Sequence, residues 1–288
     1  ALICEHVDWA RSCGFEVTAA GKGTRYLPEY HSLTPDTVWN VLREYLDIDD
    51  PNSINLQMFN SFLDGSKSAI EMTAVCNATG LVPQAAGLTF PPSSRFSLAD
   101  VCKPEQDGGA LARSGTTEVV SSLKRSGEPV DHHLAMGTFV VVKPGTDYAR
   151  QCFREYHMLP DESGLYGALY RPTHMIGLEV GLSVASVALR GEPTGQPYCF
   201  SSDVVAVAKR DLKAGERLDG EGGHCVYGQQ MPASLSIAKD ALPLGLSGGV
   251  TLSRDVSAGQ VLCEADTALD NSDDAVKARR MMISGFAS

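Results

Sequence analysis

Asp64, Lys67 and Glu71 are the only charges in a long apolar stretch, residues 55–83, whose period is helical. At about 100° per residue the three fall within roughly 60° on a helical wheel, and Asn60 joins the same stripe. The opposite face holds Phe59, Phe62, Ala69, Ile70 and Thr73, and the charges have small neighbours in Gly65, Ser66, Ser68 and Ala69. Two carboxylates beside one ammonium can bind a hard cation, move a proton, or stabilise an oxyanion. The plain alternative is a surface network of i,i+3 and i,i+4 pairs, each worth about 0.2–0.5 kcal/mol. A buried stripe of this kind needs compensating partners, because an unpaired buried charge costs several kcal/mol.

A second group of chemistry-bearing residues follows a short strand expected over 15–20. Gly21-Lys22-Gly23-Thr24 reads as a Gly-rich turn with Arg25 beside it, a place where backbone N–H groups, Lys22 and Arg25 can receive an anionic group. It lacks the spacing of a dinucleotide fingerprint or a P-loop, and a tight turn with solvated basic residues is the competing reading. His174 stands at a helix start, while His132 and His133 precede a strand.

The elements that must position these groups read as follows. A helix is expected over 2–12, stopped at Cys13-Gly14, and another over 37–46 with Thr34 as N-cap and Pro35 at the first helical position. The stretch 47–52 closes that helix and leads to one continuous helix from Asn55. Residues 83–115 carry no clear period and read as a functional loop, a lid or an excursion to a partner. A buried strand over 138–143, a helix over 147–157, a strand end at 169–171 and a small-residue helix over 176–190 follow. Residues 191–197 form a linker. Beyond it, residues 205–218 are echoed by 250–262, each copy a strand, an Arg-Asp pair, an Ala-Gly turn and a second short strand. Such a repeat implies a small all-β module of two similar halves. The tail from Asp270 is expected to be helical or frayed.

The chain has 288 residues, a net charge of −11 and 43% hydrophobic residues. The acidity argues against a nucleic-acid partner. No apolar run is long enough for a transmembrane helix, so no membrane partner is expected. Eight scattered cysteines without metal-ligand spacing fit reduced thiols in cytoplasm.

The repeat resembles the SAF domain, a β-clip module. The preceding part resembles the substrate domain of the homoserine-dehydrogenase-like oxidoreductases, with Gly21-Lys22-Gly23-Thr24 where that family has an Asn-Gly-Thr turn near its cofactor. Its Asp-x-x-x-Lys helix has a counterpart in Asp64-Gly65-Ser66-Lys67, with one residue fewer between the two. Together, through DGSKSAIEM, YRPTHMIGLE, ALRGEPTG and AKRDLKAGERLDGEGG, the chain is similar to the 1-deoxy-D-xylulose 5-phosphate reductoisomerase-like enzymes.

The fold expected is an α/β (α+β) substrate domain over 1–197, a small all-β SAF domain over 198–270 and a tail over 271–288. The resemblance implies an NADPH-dependent oxidoreductase with Mg²⁺ or Mn²⁺, a sugar-phosphate substrate and homo-oligomers. The family's N-terminal nucleotide-binding domain, which carries most of the NADPH contacts, is expected to be missing from this chain. The roles implied are Lys67, Asp64 and Glu71 in catalysis, with Asp64 and Glu71 also holding the metal. Lys22, Thr24, Arg25, Asn60, Ser66 and His174 would hold substrate, and Gly21 and Gly23 the cofactor. A homoserine-type dehydrogenase on another small hydroxy or aldehyde substrate, and a non-catalytic assembly module, are the other readings.

Overall fold

The computed structural model describes residues 1–48 and 50–286. Asp49, inside the stretch expected to close the second helix, and residues 287–288 of the tail lie outside the described residues. In chain order the first elements are α1 (Leu2–Ser12), β1 (Glu16–Thr24), α2 (Trp39–Leu42), α3 (Leu56–Leu63) and α4 (Ser66–Thr79). Then come α5 (Leu98–Val101), β2 (Thr116–Ser121), β3 (Thr138–Lys143), α6 (Asp147–Glu155), β4 (Leu159–Pro160), β5 (Gly167–Arg171) and α7 (Val180–Arg190). The last are β6 (Ser202–Ala208), β7 (Val226–Pro232), α8 (Ala233–Ala238) and α9 (Asp274–Phe286).

The chain forms two units, and the division is not linear: Ala1–Leu27 with Ala74–Ser201, and Pro28–Thr73 with Ser202–Ser288. The expected boundary after residue 197 is close to the one at Ser201, but residues 28–73 fold with the C-terminal part rather than with their sequence neighbours.

The first unit is a mixed five-stranded sheet in the order β2-β1-β3-β5-β4, with β1 parallel to β2 and the remaining pairs antiparallel. α1 buries Leu2, Ile3, Val7 and Ala10, one helical stripe, and ends where Gly14 takes a φ of +78°. The stretch 83–115 is not a lid. Leu98, Ala99, Cys102 and Leu111 enter the same buried cluster as Phe139 and Val141. The buried Glu118 carboxylate accepts from Gln84 Nε2 at 2.7 Å, Thr89 Oγ1 at 2.7 Å and the amides of Thr89 and Phe90. Burial pushes the Glu118 carboxyl up, and these donors oppose it.

The second unit contains a small all-β region, with β6 and β7 paired antiparallel from Ser202↔Pro232 to Ala208↔Val226. The two sequence copies trade caps across a pseudo-twofold relationship. The Ala214 amide donates to Asp255 Oδ1 and the Ala258 amide to Asp211 Oδ1, both at 2.9 Å. Leu212 and Val256 exchange backbone bonds at 2.8 and 3.0 Å. Leu212, Leu218, Leu252, Val256 and Leu262 fill the core between the copies. The second copy pairs through single bridges such as Val207↔Val261 and Leu252↔Thr267 rather than as a continuous strand. The tail is helical as α9, tied by Arg279 to Asp203.

Candidate functional site

The expected continuous helix over the charged stretch is two helices. Gly65, at φ +90°, breaks it, a backbone region that side chains disfavour and glycine enters freely. Asn55 caps the start of α3 by accepting the Met58 amide at 3.0 Å, and Asp64 closes that helix. The break takes Asp64 off the face it would share with Lys67 and Glu71.

Asp64 is turned wholly inward. Its Oδ1 accepts the Ser66 amide at 2.9 Å, bridging the break, and its Oδ2 lies 2.8 Å from the Lys209 ammonium. The two side chains are 0% and 2% exposed. Lys209 also donates to the carbonyls of Leu33 at 2.6 Å and Gly223 at 2.8 Å. Asn60 Nδ2 donates to Leu33 O and Gly222 O, and Ser66 Oγ accepts the Gly228 amide at 2.8 Å. His31 places Nδ1 2.6 Å from the Asp64 carbonyl and stacks on Tyr227 with ring centroids 4.1 Å apart. Burial pushes the His31 imidazolium down, against the pull of the Asp64 carbonyl and carboxylate, while Lys209 pushes the same way as burial. Asn60, Asp64 and Ser66 are thus brought together, and with them Lys209, His31 and Tyr227.

Lys67 is different. It is half-buried, sits in the first turn of α4, and its ammonium has no hydrogen bond or ion pair among the described residues. A helix N-terminus favours negative charge, so a cation there costs about 0.3–1 kcal/mol and gains nothing structural in return. An ammonium held in that way is suited to meet an anion or a developing oxyanion. Glu71, also half-buried, lies one turn further along α4.

The proposed metal pair does not fit. Asp64 Oδ1 accepts the Ser66 amide, and Oδ2, which has no hydrogen-bond partner among the described residues, lies 2.8 Å from the Lys209 ammonium, a cation already standing where a metal ion would. Among the described residues, no group of three or more His, Cys, Asp and Glu is placed to hold a metal ion.

The residues 21–24 do not form a turn either; they are the end of β1, between β2 and β3. Gly23 donates its amide to Gly137 O at 3.0 Å. The glycines serve close backbone approach: a Cβ on Gly21 would lie 1.7 Å from Glu118 O, and one on Gly23 1.9 Å from Leu134 O. That accounts for both without a phosphate. Lys22, Thr24 and Arg25 are half-buried and belong to the sheet unit, whereas Asp64, Lys67 and Glu71 belong to the other.

In the sheet unit, His174 is clamped by a carboxylate. Its Nδ1 lies 3.0 Å from Glu179 Oε2, and Arg171 donates to Glu179 Oε1 at 2.8 Å. The His174 bond, the largest influence, holds Glu179 below the usual range against the opposing desolvation, and the Arg171 charge adds to the lowering. These residues line a cleft of about 980 Å³ between α1, with Glu5, Asp8 and Trp9, and α7. α7 buries none of its residues, and its apolar side chains outside the cleft lining, including Val184 at 64% and Val187 at 58%, are exposed. His132 and His133 are exposed, away from any such clamp.

Sequence reasoning passed over Lys209, His31, Arg171 and Glu179. A signal for Lys209 exists in the repeat: where the first copy has Lys209 before its Arg-Asp pair, the second has Ser253. A lysine in one copy alone is not a demand of the fold. Arg171 and Glu179 lie within YRPTHMIGLE, at either side of His174.

Two family models match the chain. One, described as the catalytic domain of oxidoreductase DRL, covers residues 1–180; the other, the SAF domain, covers residues 203–267. No curated protein matches it. Among the described residues, no helix is long and apolar enough to cross a membrane. With its catalytic-domain match spanning more than half its length and an all-β SAF module behind it, the chain belongs to the oxidoreductase DRL family.

Proposed function

We propose that this chain activates the substrate of a nicotinamide-dependent oxidoreductase that acts on a small hydroxy-carbonyl compound. The observation that carries the reading is Lys67: a half-buried ammonium without a partner, at the start of a helix. Charge stabilisation of this kind at a carbonyl becoming an alkoxide is worth about 2.7–4 kcal/mol in enzymes where one donor has been removed. The substrate favoured by the sequence resemblance is 1-deoxy-D-xylulose 5-phosphate, rearranged and reduced to 2-C-methyl-D-erythritol 4-phosphate, a precursor of isoprenoids. NADPH is the reductant of that reading. Because Gly21 and Gly23 are consumed by sheet packing, the dinucleotide is assigned to a separate nucleotide-binding domain, with the outward apolar face of α7 as its docking surface.

A second reading, a homoserine-type dehydrogenase, draws support from Asp64. The rearrangement calls on a divalent cation between two carboxylates, and Asp64 is locked to Lys209. Simple hydride transfer makes no such demand.

The test is NADPH oxidation by the full-length protein with 1-deoxy-D-xylulose 5-phosphate, with and without Mg²⁺, beside its Lys67→Ala variant and beside homoserine oxidation with NADP⁺. Turnover of the sugar phosphate that needs Mg²⁺ and Lys67 supports the first reading. Metal-independent turnover of homoserine supports the second. Turnover that survives Lys67→Ala overturns both.

A further inference from the structure

The SAF module reaches into the helical break beside Lys67. Gly65, at φ +90°, joins α3 to α4 without a side chain to fix its angle. What spans the joint is the Asp64 carboxylate, which accepts the Ser66 amide on the far side. Asp64 in turn is gripped by Lys209, which is also fixed by the carbonyls of Leu33 and Gly223. A second tie from the same module, the Gly228 amide to Ser66 Oγ, lands on the first residue of α4. Lys67 is the next residue. A buried ion pair is a poor source of stability compared with an apolar pair of equal volume, so its presence here calls for a use in geometry.

We infer that Lys209 is a positioning residue for the reaction site: through Asp64 it sets the first turn of α4 and thereby the place of Lys67. The inference rests on the reading of Lys67 given above. A reacting group displaced by about 1 Å loses roughly 100-fold in rate, so the effect of releasing the joint falls on kcat. The SAF module is then part of the catalytic apparatus rather than an assembly appendage.

The experiment compares the full-length wild type with Asp64→Leu/Lys209→Met, which removes the tie without leaving a buried charge, with Lys209→Gln, which keeps a donor but no charge, and with Lys209→Arg. Three readouts are taken: kcat and KM, amide exchange at Ser66 and Lys67, and the rate at which acetic anhydride labels Lys67. The double variant is expected to melt cooperatively, to lose roughly 10- to 100-fold in kcat with KM within about threefold, and to exchange faster at both amides. Lys209→Gln shifts in the same direction by less, and Lys209→Arg returns towards wild type. Wild-type kcat, exchange and labelling in a folded double variant, or in Lys209→Gln should the double variant fail to fold, overturn the inference. Retained activity in Lys67→Ala instead removes the reading of Lys67, while exchange at Ser66 and Lys67 still decides whether Lys209 sets the helix start.

Discussion

The Lys209 ammonium and the Asp64 carboxylate meet at 2.8 Å with both side chains withdrawn from water, so neither charge can be removed alone without cost. Asp64→Ala leaves a buried lysine with two carbonyls and no counter-charge. The expected loss is about 3–5 kcal/mol, read from urea unfolding, with Asp64→Leu/Lys209→Met recovering most of it. A double variant no more stable than Asp64→Ala would show that the pair itself supplies the stability.

Lys67→Ala separates structure from chemistry. With no bond to lose, it is expected to change stability by no more than about 0.5 kcal/mol. Turnover of the accepted substrate falls by about 10²-fold or more. A large drop in melting temperature would instead make Lys67 a structural residue.

Acid should loosen the fold through two histidines. His31 and His6 are both held below their ordinary 6.5, in each case chiefly by burial. Their contribution is complete above 6.5, where both states are neutral. Below it the unfolded chain binds protons first, and stability falls as the pH drops towards the folded-state values, by up to about 1.4 kcal/mol per pH unit for each group. Melting curves from pH 7.5 to 5 check this, and His31→Phe, which retains an aromatic ring against Tyr227, should flatten the slope. An unchanged slope in that variant assigns the acid sensitivity elsewhere.

Gly21→Ala discriminates between packing and binding. A methyl group 1.7 Å from the Glu118 carbonyl cannot be absorbed by a side-chain rotation. We expect a loss of about 3 kcal/mol or more, or insoluble protein. A well-folded variant with a raised KM would restore the glycine pair to a role in binding.

Val184→Gln with Val187→Gln tests the outward face of α7. Because both side chains already meet solvent, each change is expected to shift stability by less than about 0.5 kcal/mol, while binding of the nucleotide-carrying domain weakens. Size-exclusion chromatography and NADPH titration report the two effects, and unaltered NADPH affinity would move the docking surface off α7.

The parts of the fold that were legible in the sequence are those governed by local pattern. α1 covers the expected residues because its buried stripe and Gly14 specify both face and end. The duplicated module was legible because Asp211 and Asp255 each serve the other copy's turn, which forces the two copies to keep the same residues at the same spacing. The break at Gly65 was hidden because the apolar period runs through it, and only the backbone angle reveals it. Gly21 and Gly23 misled for a related reason: glycine admits close approach as readily as it admits turns, and the partner strands that need the space, β2 and β3, lie far along the chain. Residues 83–115 lack period because they enter the core through scattered anchors such as Leu98 and Leu111. Of the site, Asn60, Asp64 and Lys67 stood out through helical spacing in an apolar stretch, and Ser66 through the family resemblance. Lys209 did not, since the pairing depends on a fold in which residues 28–73 join the C-terminal part.

That interleaving has a consequence for synthesis on the ribosome. Residues 28–73 emerge early, yet the strands they fold with start at Ser202. At about 5–20 residues per second, the roughly 130 residues in between take on the order of ten seconds. Throughout that interval Asp64 has no Lys209, and the apolar flank of α3 is open to chaperones and to other nascent chains. Slowing translation between Ala74 and Ser201 should therefore lower the yield of soluble protein more than the same delay placed after Ser202.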